Sequence, residues 1–475
     1  MNFQSLSFLV FLTLTVIVCL AAGRKNRTAG LFLLTAACAL FCLLGNHGLR
    51  SLFVILIGCN VTKWASRKMA ALQDEKRRRV LRLACAYHIL VLTGFKYTGF
   101  FTGGAVSINW VPIGLSFFTF QQLWLLKEVY TGEFIPAPRD SMYLYAFFFP
   151  TLTSGPILRP SRFFPQLRSE TFLKPTWQDL SAGLYAISLG MAKKVLLADP
   201  LGTVVANGWA MGGNLTAPAA WIVMLAYTLQ LYLDFSGYCD IAAGCARLLG
   251  IRLPVNFNSP YRSLSVGEFW KRWHITLTSF LRECLYFPLG GSRKGAGRAY
   301  LNILIVFLVS GFWHGAGWTF LVWGGLHGLA QIVERMWGKQ RMALPKGVQW
   351  ILTFLFVNLA WVFFRAPDLA SAMELFSAAV SGGWGLPLEA LAVGVLDSEV
   401  TAIETMLPAL EAALPGFVLT GLLVSGLVVS LWPKNTIQAM EEFRPSVGTA
   451  AICGALLAYA ALSFSSVATF IYSNF

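Results

Sequence analysis

The chain has 475 residues, of which 56% are hydrophobic and only 12% are charged. Soluble proteins average about 25% charged residues, so the composition excludes a disordered chain and argues against a soluble enzyme. The apolar runs are continuous, unlike the alternating strands of outer-membrane barrels, and therefore indicate an all-α polytopic integral membrane protein. The 37 Lys and Arg against 22 Asp and Glu give a net charge of +15. We interpret this excess as loop charge that fixes orientation, not as nucleic-acid binding.

Cysteine usage and segment composition bound the domain organisation. The nine cysteines lie mostly inside apolar runs and form no CxxC pair. We therefore expect buried thiols, with neither disulfides nor a metal site. No soluble module, low-complexity tract or convincing internal repeat stands out. The sequence predicts a single integral membrane domain over residues 1–475.

The first apolar run, about Leu6–Ala22, has no Lys or Arg before it and three basic residues soon after it. A signal peptide carries its charge in front, so we expect a retained span with the N-terminus outside the cell. Basic loops follow later in the chain, and the positive-inside rule assigns each of them to the cytosol. These loops are Ser66–Arg82, which includes Arg77, Gly290–Arg298, and Glu334–Lys346, which includes Lys339.

The stretch Ala366–Pro433 contains seven Asp or Glu and no Lys or Arg. We place it outside, together with its Gly/Pro-punctuated segment 381–415. The basic segment Lys434–Arg444 returns to the cytosol, and a last apolar run, about Thr449–Val467, carries the C-terminus out. Two termini outside require an even number of crossings, and the apolar runs predict roughly 10–12 helices, some of them incomplete.

Residues 251–298 break the pattern of spans. Ser265 and Glu268 form a capping box, which predicts one helix that begins near Val266 and ends at Pro288. Helical spacing places an apolar set on one face: Trp270, Trp273, His274, Leu277, Phe280, Leu281 and Cys284. The opposite face carries the basic residues Lys271, Arg272 and Arg282. Such a helix is typical of the cytosolic membrane interface. An ordinary surface anchor is the alternative, but a histidine on an apolar face is costly without a partner.

A second histidine lies in the sequence Gly311–Gly317, which reads GFWHGAG. From Arg298 to His314 is 16 residues, or about 24 Å of helix, which places His314 at membrane depth. An ionisable side chain there is a candidate functional residue, and the surrounding glycines leave room for close backbone approach or a helix break. A helix-packing histidine is the alternative. We favour a structural role for the other three histidines, His47, His88 and His327.

Five motifs lie in order between about residues 110 and 335. They are PIGLSFFTFQ (Pro112–Gln121), FFPTLTSGPILRP (Phe148–Pro160), QLYLDFSGYCDIA (Gln230–Ala242), FWKRWHITLTSFLRECLYFPLGG (Phe269–Gly291) and SGFWHGAGWTFLVWGGLHG (Ser310–Gly328). The set resembles the membrane-bound O-acyltransferase (MBOAT) family, in the bacterial branch of alginate O-acetyltransferase and its peptidoglycan, cellulose and teichoic-acid relatives. The last two motifs together are highly specific. Lys127-Glu128 stands where an Ile-Asp pair is common, and this departure bears on the substrate branch.

The resemblance implies a ring of transmembrane helices, with re-entrant and interfacial helices, around a central funnel. It implies transfer of an acyl group to a hydroxyl, with His314 as the membrane-embedded histidine and His274 as its upstream polar partner. A neutral imidazole can take the proton of an attacking hydroxyl. We expect His274 to help orient the thioester, and no permanently bound cofactor. The residues expected to meet the phosphates of acetyl-CoA, with lipid-headgroup contact as the alternative, are Lys271, Arg272 and Arg282.

The chain ends in Phe470–Phe475, which reads FIYSNF. This F-x-Y-x-x-F tail resembles one found in the polysaccharide-acetylating and teichoic-acid branches, where the tyrosine is implied to carry the acyl group as a phenolic ester. By that resemblance Tyr472 is the acyl carrier, and the predicted topology places it outside. The alternative is that the C-terminal segment 449–475 consists of a final span and a tail without a functional role.

The leading hypothesis is a membrane O-acetyltransferase of the bacterial cell membrane. It would take acetyl from a cytosolic thioester, with acetyl-CoA as the expected donor, and pass it through Tyr472 to an extracytoplasmic SGNH-type acetyltransferase or esterase. That partner would modify a polysaccharide of the alginate, peptidoglycan or cellulose type. One alternative is D-alanyl transfer for teichoic acids from a carrier protein, although a tail in the same chain favours the acetyl relay. Another is a transporter without chemistry, for which repeat-related broken helices are expected and not found.

Overall fold

The structure is a computed structural model that describes residues 1, 3–106, 108–137, 141–338, 343–464, 468 and 470–471. Within these ranges the chain is helical and contains no strand. Five helices in the described chain are long and apolar enough to cross a membrane, namely Leu6–Lys25, Trp177–Ala210, Ala217–Leu248, Ala296–His314 and Lys346–Arg365. Together with shorter apolar helices, they confirm the predicted all-α polytopic architecture.

The α-helices are numbered here in chain order. They are α1 (Leu6–Lys25), α2 (Arg27–Leu43), α3 (Gly48–Ala71), α4 (Asp74–Lys96), α5 (Thr98–Phe101), α6 (Leu115–Thr131), α7 (Met142–Phe147), α8 (Phe149–Leu152), α9 (Pro160–Arg168), α10 (Trp177–Ala192), α11 (Asp199–Ala210), α12 (Ala217–Leu248), α13 (Val266–Arg272), α14 (Ile275–Leu281), α15 (Ala296–His314), α16 (Trp318–Trp337), α17 (Lys346–Arg365), α18 (Leu369–Ser381), α19 (Leu388–Ala392), α20 (Asp397–Met406), α21 (Leu414–Ser430), α22 (Thr436–Glu442) and α23 (Val447–Ser463). Two π-helical turns, Lys193–Ala198 and Arg282–Tyr286, and three 3-10 turns, Gly212–Asn214, Pro260–Arg262 and Pro408–Leu410, complete the set.

Helix α12 is the centre of the fold. In its most apolar stretch of 18 residues, 78% is buried inside the protein. The corresponding share in the other four long apolar helices is 33–50%. It packs against α10, α11, α17, α18 and α21. A helix that is covered on all sides does not need lipid to bury its surface, so α12 can carry polar side chains such as Asp234 and Asp240 in the interior.

Helices α15 and α16 form a close hairpin whose turn follows His314. A Cβ on Gly311 would lie 2.2 Å from the carbonyl oxygen of Phe320, and one on Gly315 would lie 2.1 Å from the Phe320 ring. Both positions therefore require glycine, which confirms the predicted close approach. Gly317 is different, because a Cβ there would make only ordinary contacts at 3.6 Å or more. The backbone breaks over residues 315–317, before α16 begins.

The prediction of one continuous helix between Val266 and Pro288 is wrong, because the helix is interrupted. It begins at Val266 as predicted, and the Ser265 hydroxyl accepts a hydrogen bond from the Glu268 N–H at 2.8 Å. It ends after only seven residues, and His274 adopts a left-handed conformation with φ of 43° before α14 begins.

The break in this helix has a long-range cause. The backbone oxygen of Asn256 accepts a hydrogen bond from the Ile275 N–H at 3.0 Å, and its side-chain oxygen accepts one from the Thr276 N–H at 3.2 Å. A loop therefore supplies the partners that a preceding helical turn would otherwise offer. Six of the predicted apolar residues are buried all the same, namely Trp270, Trp273, His274, Leu277, Phe280 and Leu281.

The predicted outer segment 381–415 contains the two short helices α19 and α20. Its orientation can be tested with an impermeant maleimide in a cysteine-depleted background. The exposed side chains of Asp397 and Arg78 are suitable positions. We expect Asp397→Cys to be labelled in intact cells and Arg78→Cys to be labelled only after permeabilisation, because the positive-inside rule predicts that the basic loop faces the cytosol. Labelling of Arg78→Cys in intact cells would overturn the topology.

Candidate active site

His314 is the last residue of α15, and its side chain is 2% exposed. Aromatic rings surround the imidazole. The ring centroids of Trp313, Trp323 and Phe364 lie 4.7, 5.2 and 5.1 Å from its own. His314 therefore lies in an enclosed, mostly apolar environment. Exclusion of water strengthens electrostatic interactions at such a place.

The C-terminal carbonyls of α15 are neutralised by the end of α4. Lys96 Nζ donates to the carbonyl oxygen of Trp313 at 2.5 Å and to that of His314 at 3.4 Å. The Tyr97 hydroxyl donates to the same Trp313 oxygen at 3.2 Å. A cation at a helix C-terminus is favourable because it satisfies open carbonyls and offsets the helix dipole. These contacts fix the backbone that carries His314.

His274 is completely buried, and its tautomer follows from its neighbours. Its Nδ1 lies 3.2 Å from Oδ1 of Asn256. That oxygen also accepts from the backbone N–H of Thr276 at 3.2 Å and from its hydroxyl at 2.9 Å, so it is an acceptor. The Nδ1 of His274 must then carry the proton, which leaves the lone pair of the neutral ring on Nε2. The left-handed backbone at His274 is a strained conformation of the kind that occurs at functional sites.

The two histidines belong to one buried cluster. The Phe117 ring stacks near His274 with centroids 6.2 Å apart, and it meets Trp313 edge-on at 5.5 Å. Trp313 precedes His314 on α15, and the two ring centroids lie 4.7 Å apart. The structure thus brings together the two histidines that the sequence analysis singled out.

The three basic residues predicted to bind phosphate lie in different settings. Lys271 is exposed. Arg272 is held by Glu268, whose Oε1 lies 2.8 Å from its Nη2, and by the backbone oxygen of Asn258 at 3.2 Å. Arg282 is also exposed and lines a cavity of about 160 Å³.

That cavity lies between the α13–α14 segment and the α15–α16 hairpin. Its charged lining residues are Arg282 and Arg335, and Ser310 contributes a hydroxyl one helical turn before His314. The remaining walls combine apolar and polar side chains, including Trp270 and Gln331. The cavity therefore joins two guanidinium groups to the helix that carries His314.

The third predicted catalytic residue, Tyr472, lies outside the described residues. The two residues before it are described. Phe470 is 3% exposed, and its ring lies 5.3 Å from that of Tyr238 on α12. The Ile471 N–H donates to Oδ2 of Asp234 at 2.8 Å. The described tail residues Phe470 and Ile471 therefore pack against the central helix.

Sequence reasoning missed several polar residues of this region. Lys96 is a single cation in an apolar run, which was a usable signal because charges at membrane depth are usually functional or paired. Lys194, the second of two adjacent lysines in an apolar segment, and Asp234 in the third motif carried a similar signal. Asn256 gave no comparable signal, since its role depends on a long-range contact with the α13–α14 break.

Asn256 offers a direct test of how the site is held. We expect Asn256→Ala to reduce acyl transfer about tenfold or more, since three donors lose their common acceptor and His274 loses its fixed tautomer. Acyl transfer by the purified variant measures this effect. Asn258→Ala is the matched control, because its backbone oxygen still accepts from Arg272. Equal activities of the two variants would contradict the role given to Asn256.

Comparison with known proteins agrees with this geometry. The model of the membrane-bound O-acyltransferase family matches residues 41–371. A peptidoglycan O-acetyltransferase of Helicobacter pylori is 37% identical over 367 residues, or 69% of each chain. A protein of Azotobacter vinelandii named "probable alginate O-acetylase" is 35% identical over 413 residues, or 81% of this chain and 79% of the other. A teichoic acid D-alanyltransferase of Streptococcus thermophilus is 28% identical over 249 residues, or 49% and 59%.

The family match spans well over half of the chain and includes both histidines, the cavity lined by Arg282 and Arg335, and most of the helices around them. Its members transfer acyl groups, and the long apolar helices make this chain a multi-pass membrane protein. The chain is an acyltransferase that belongs to the membrane-bound O-acyltransferase family.

Proposed function

We propose that this chain is a bacterial membrane O-acetyltransferase that moves acetyl from a cytosolic thioester to its own C-terminal tyrosine, for O-acetylation of an extracytoplasmic polysaccharide. The observation that carries the proposal is the enclosed pair His274 and His314, together with tail residues 470–471 packed against α12. Helix α12 connects the two, because Asp234 accepts a hydrogen bond from the tail and the next residue, Phe235, lies 4.9 Å from the His274 ring.

The choice of acetyl over D-alanyl rests on the relatives. Proteins named for peptidoglycan and alginate acetylation are 35–37% identical over 69–81% of this chain. The D-alanyltransferases of Streptococcus thermophilus and Bacillus subtilis are 28% identical over 49–53% of it. This difference favours a polysaccharide of the peptidoglycan or alginate type. D-alanyl transfer from a carrier protein remains the second candidate, since these relatives belong to the same family.

The donor enters from the cytosolic side through the cavity beside Ser310. Arg282 and Arg335 lie where the phosphates of acetyl-CoA would be bound, since guanidinium groups bind phosphate through paired N–H donors. Lys271 adds positive charge nearby on α13. Arg272 mainly holds Glu268 and the 251–259 loop in place, and it contributes to donor binding through this support.

In the transfer step the Tyr472 phenol attacks the thioester carbonyl. The C–S bond breaks, a C–O bond forms, and the phenolic proton passes by way of a histidine to the leaving thiolate. A phenol has a pKa near 10 in water, so it needs such a base at neutral pH. His314 takes this proton, and the Nε2 lone pair of His274 orients the donor by accepting a hydrogen bond from an amide of its arm. The products are an acetyl-tyrosine ester and free thiol.

The acetyl-tyrosine would then be used outside the cell by an SGNH-type acetyltransferase or esterase. That partner's serine takes the acetyl group and transfers it to a polysaccharide hydroxyl. The tyrosine ester is a suitable intermediate because a phenolate leaves more readily than a sugar alkoxide. A relay of this kind needs the carrier residue to be reachable from outside, which is where the predicted topology places the C-terminus.

Mass spectrometry of the C-terminal peptide, prepared from native membranes, tests the proposal. We expect an acetyl group on Tyr472 that disappears in His314→Ala. A D-alanyl group would establish the second candidate. An unmodified tyrosine in cells whose polymer is acetylated through this protein would overturn the carrier step, and the absence of any transfer would favour the transporter hypothesis.

A further inference from the structure

We propose that Lys194, Asp199 and Asp234 form a seat that positions the C-terminal tail for acyl transfer; the inference rests on the proposed function. Lys194 Nζ lies 2.7 Å from Asp199 Oδ1 and 2.6 Å from Asp234 Oδ1. The side chains of Lys194 and Asp234 are each 2% exposed, and that of Asp199 is 17% exposed. Such a cluster is costly to bury unless every charge is compensated.

The charges of this seat do not cancel on their own. One ammonium faces two carboxylates, so the ionised cluster carries one excess negative charge. A buried carboxylate needs hydrogen-bond donors to replace water. Asp234 uses Oδ1 for Lys194 and Oδ2 for the backbone N–H of Ile471, at 2.8 Å. The tail thus donates a hydrogen bond to Asp234, one of the two carboxylates that share the single positive charge of Lys194.

Side chains of the tail strengthen this attachment. The Lys194 ammonium lies 4.8 Å from the centroid of the Phe470 ring, a cation–π distance. The Phe470 ring also meets the Tyr238 ring edge-on at 5.3 Å, and Gln4 donates from Nε2 to the Ala468 oxygen at 3.0 Å. Backbone and side chain are therefore both held at the residues that immediately precede Tyr472.

The position of the seat at α12 connects it to the candidate active site. Asp234 is the neighbour of Phe235 on α12, and Phe235 contacts His274. Lys194 also lies in a π-helical turn, Lys193–Ala198, and such turns are frequent at functional sites. We assign Lys194, Asp199 and Asp234 as positioning residues, which act on Tyr472 through the tail backbone and not on the acyl group itself.

A neighbouring ion pair provides the contrast. Lys193 Nζ lies 2.6 Å from Asp240 Oδ2, and this pair balances one charge against one. Lys193 Nζ also donates to the hydroxyls of Ser236 and Thr436, each at 3.5 Å, and neither residue belongs to the tail. The pairs Lys193–Asp240 and Lys194–Asp234 thus join the same helical segments, and among the described residues it is Asp234, beside the additional carboxylate of Asp199, that bonds the tail.

The test uses the full-length protein and carboxypeptidase digestion of its C-terminus, followed by intact-mass spectrometry. Asp234→Asn keeps the shape of the side chain and leaves Lys194 balanced by Asp199, so we expect it to fold. Its terminal residues should be released about tenfold faster, the scale of losing one charge-assisted hydrogen bond. Acetyl-Tyr472 should fall by a similar factor. Phe470→Ala should act in the same direction without any change to the charged cluster.

The matched control is the double variant Lys193→Gln with Asp240→Asn, which removes a balanced pair and should leave the tail digestion rate at the wild-type value. Equal digestion rates of wild type, Asp234→Asn and Phe470→Ala would overturn the seat. Failure of the proposed function is seen separately. If Asp234→Asn exposes the tail but Tyr472→Phe keeps wild-type polymer acetate, the seat stands and the acyl-tyrosine step is wrong.

Discussion

His314→Ala should lower acyl transfer by about 10²–10⁴-fold, the usual contribution of a general base. The imidazole is enclosed by Trp313, Trp323 and Phe364 and is 2% exposed, so bulk water is not in contact with it and is poorly placed to act as the base instead. Lys96 holds the backbone at this position by hydrogen bonds to two carbonyl oxygens, so the backbone should stay in place when the ring is removed. Acyl transfer from radiolabelled acetyl-CoA to the purified protein measures the effect.

The control for this prediction is His88→Ala. His88 is also buried, and its Nε2 lies 2.8 Å from the Thr62 hydroxyl, away from the α15–α16 turn. The substitution should lower stability, because a packed ring and a hydrogen bond are lost, while transfer per folded molecule stays near the wild-type rate. His314→Ala with near-wild-type transfer, or His88→Ala with an equal loss, would remove the role given to His314.

His274→Ala should be equal to His314→Ala in effect or weaker, because His274 orients the donor and does not take the phenolic proton. Its ring lies beside Phe235 and Phe117 in the core. Size-exclusion chromatography separates the two roles of the residue. A folded variant with reduced transfer supports the orienting role, whereas loss of expression indicates a structural one.

Much of this architecture could be predicted from the sequence because lipid leaves few choices. A run of about 20 apolar residues must become a helix, since backbone groups in hydrocarbon need internal partners. The first span and the close approach at Gly311 followed from such local rules. His314 stood out for the same reason, because an ionisable side chain at that depth is rarely incidental.

The features that the sequence did not predict depend on contacts between residues that are distant in sequence. No Gly or Pro marks the break at His274, and the local pattern favours a continuous helix. The competing partner is Asn256, 18 residues earlier, which offers both of its oxygens to the start of α14. The pairing of Lys194 with Asp234 likewise joins residues 40 apart. Local periodicity identified the buried face correctly but carried no information on these contacts.

Tyr472→Phe should stop transfer of acetyl to the polymer while leaving the protein as stable as wild type. The change removes one oxygen near a chain terminus, and such substitutions usually alter stability by no more than about 0.5 kcal/mol. Polymer acetate in cells that express each variant is the measurement. Tyr459→Phe is the matched control, since it removes the same oxygen from a tyrosine that bonds Glu399 at 2.5 Å.

Deletion of Ser473–Phe475 should impair transfer as well, although Tyr472 survives in that variant. The argument is geometric. In the shortened chain Phe470 and Ile471 would fix the tail before the tyrosine, and a single attachment leaves the phenol free to turn away from the thioester. Effective molarity depends on holding both reactants in line, so loss of a second anchor at Phe475 should cost rate without loss of the nucleophile. Wild-type polymer acetate with Tyr472→Phe would remove the acyl-tyrosine step and leave direct transfer from the thioester at His314, in which case the deletion should also be silent.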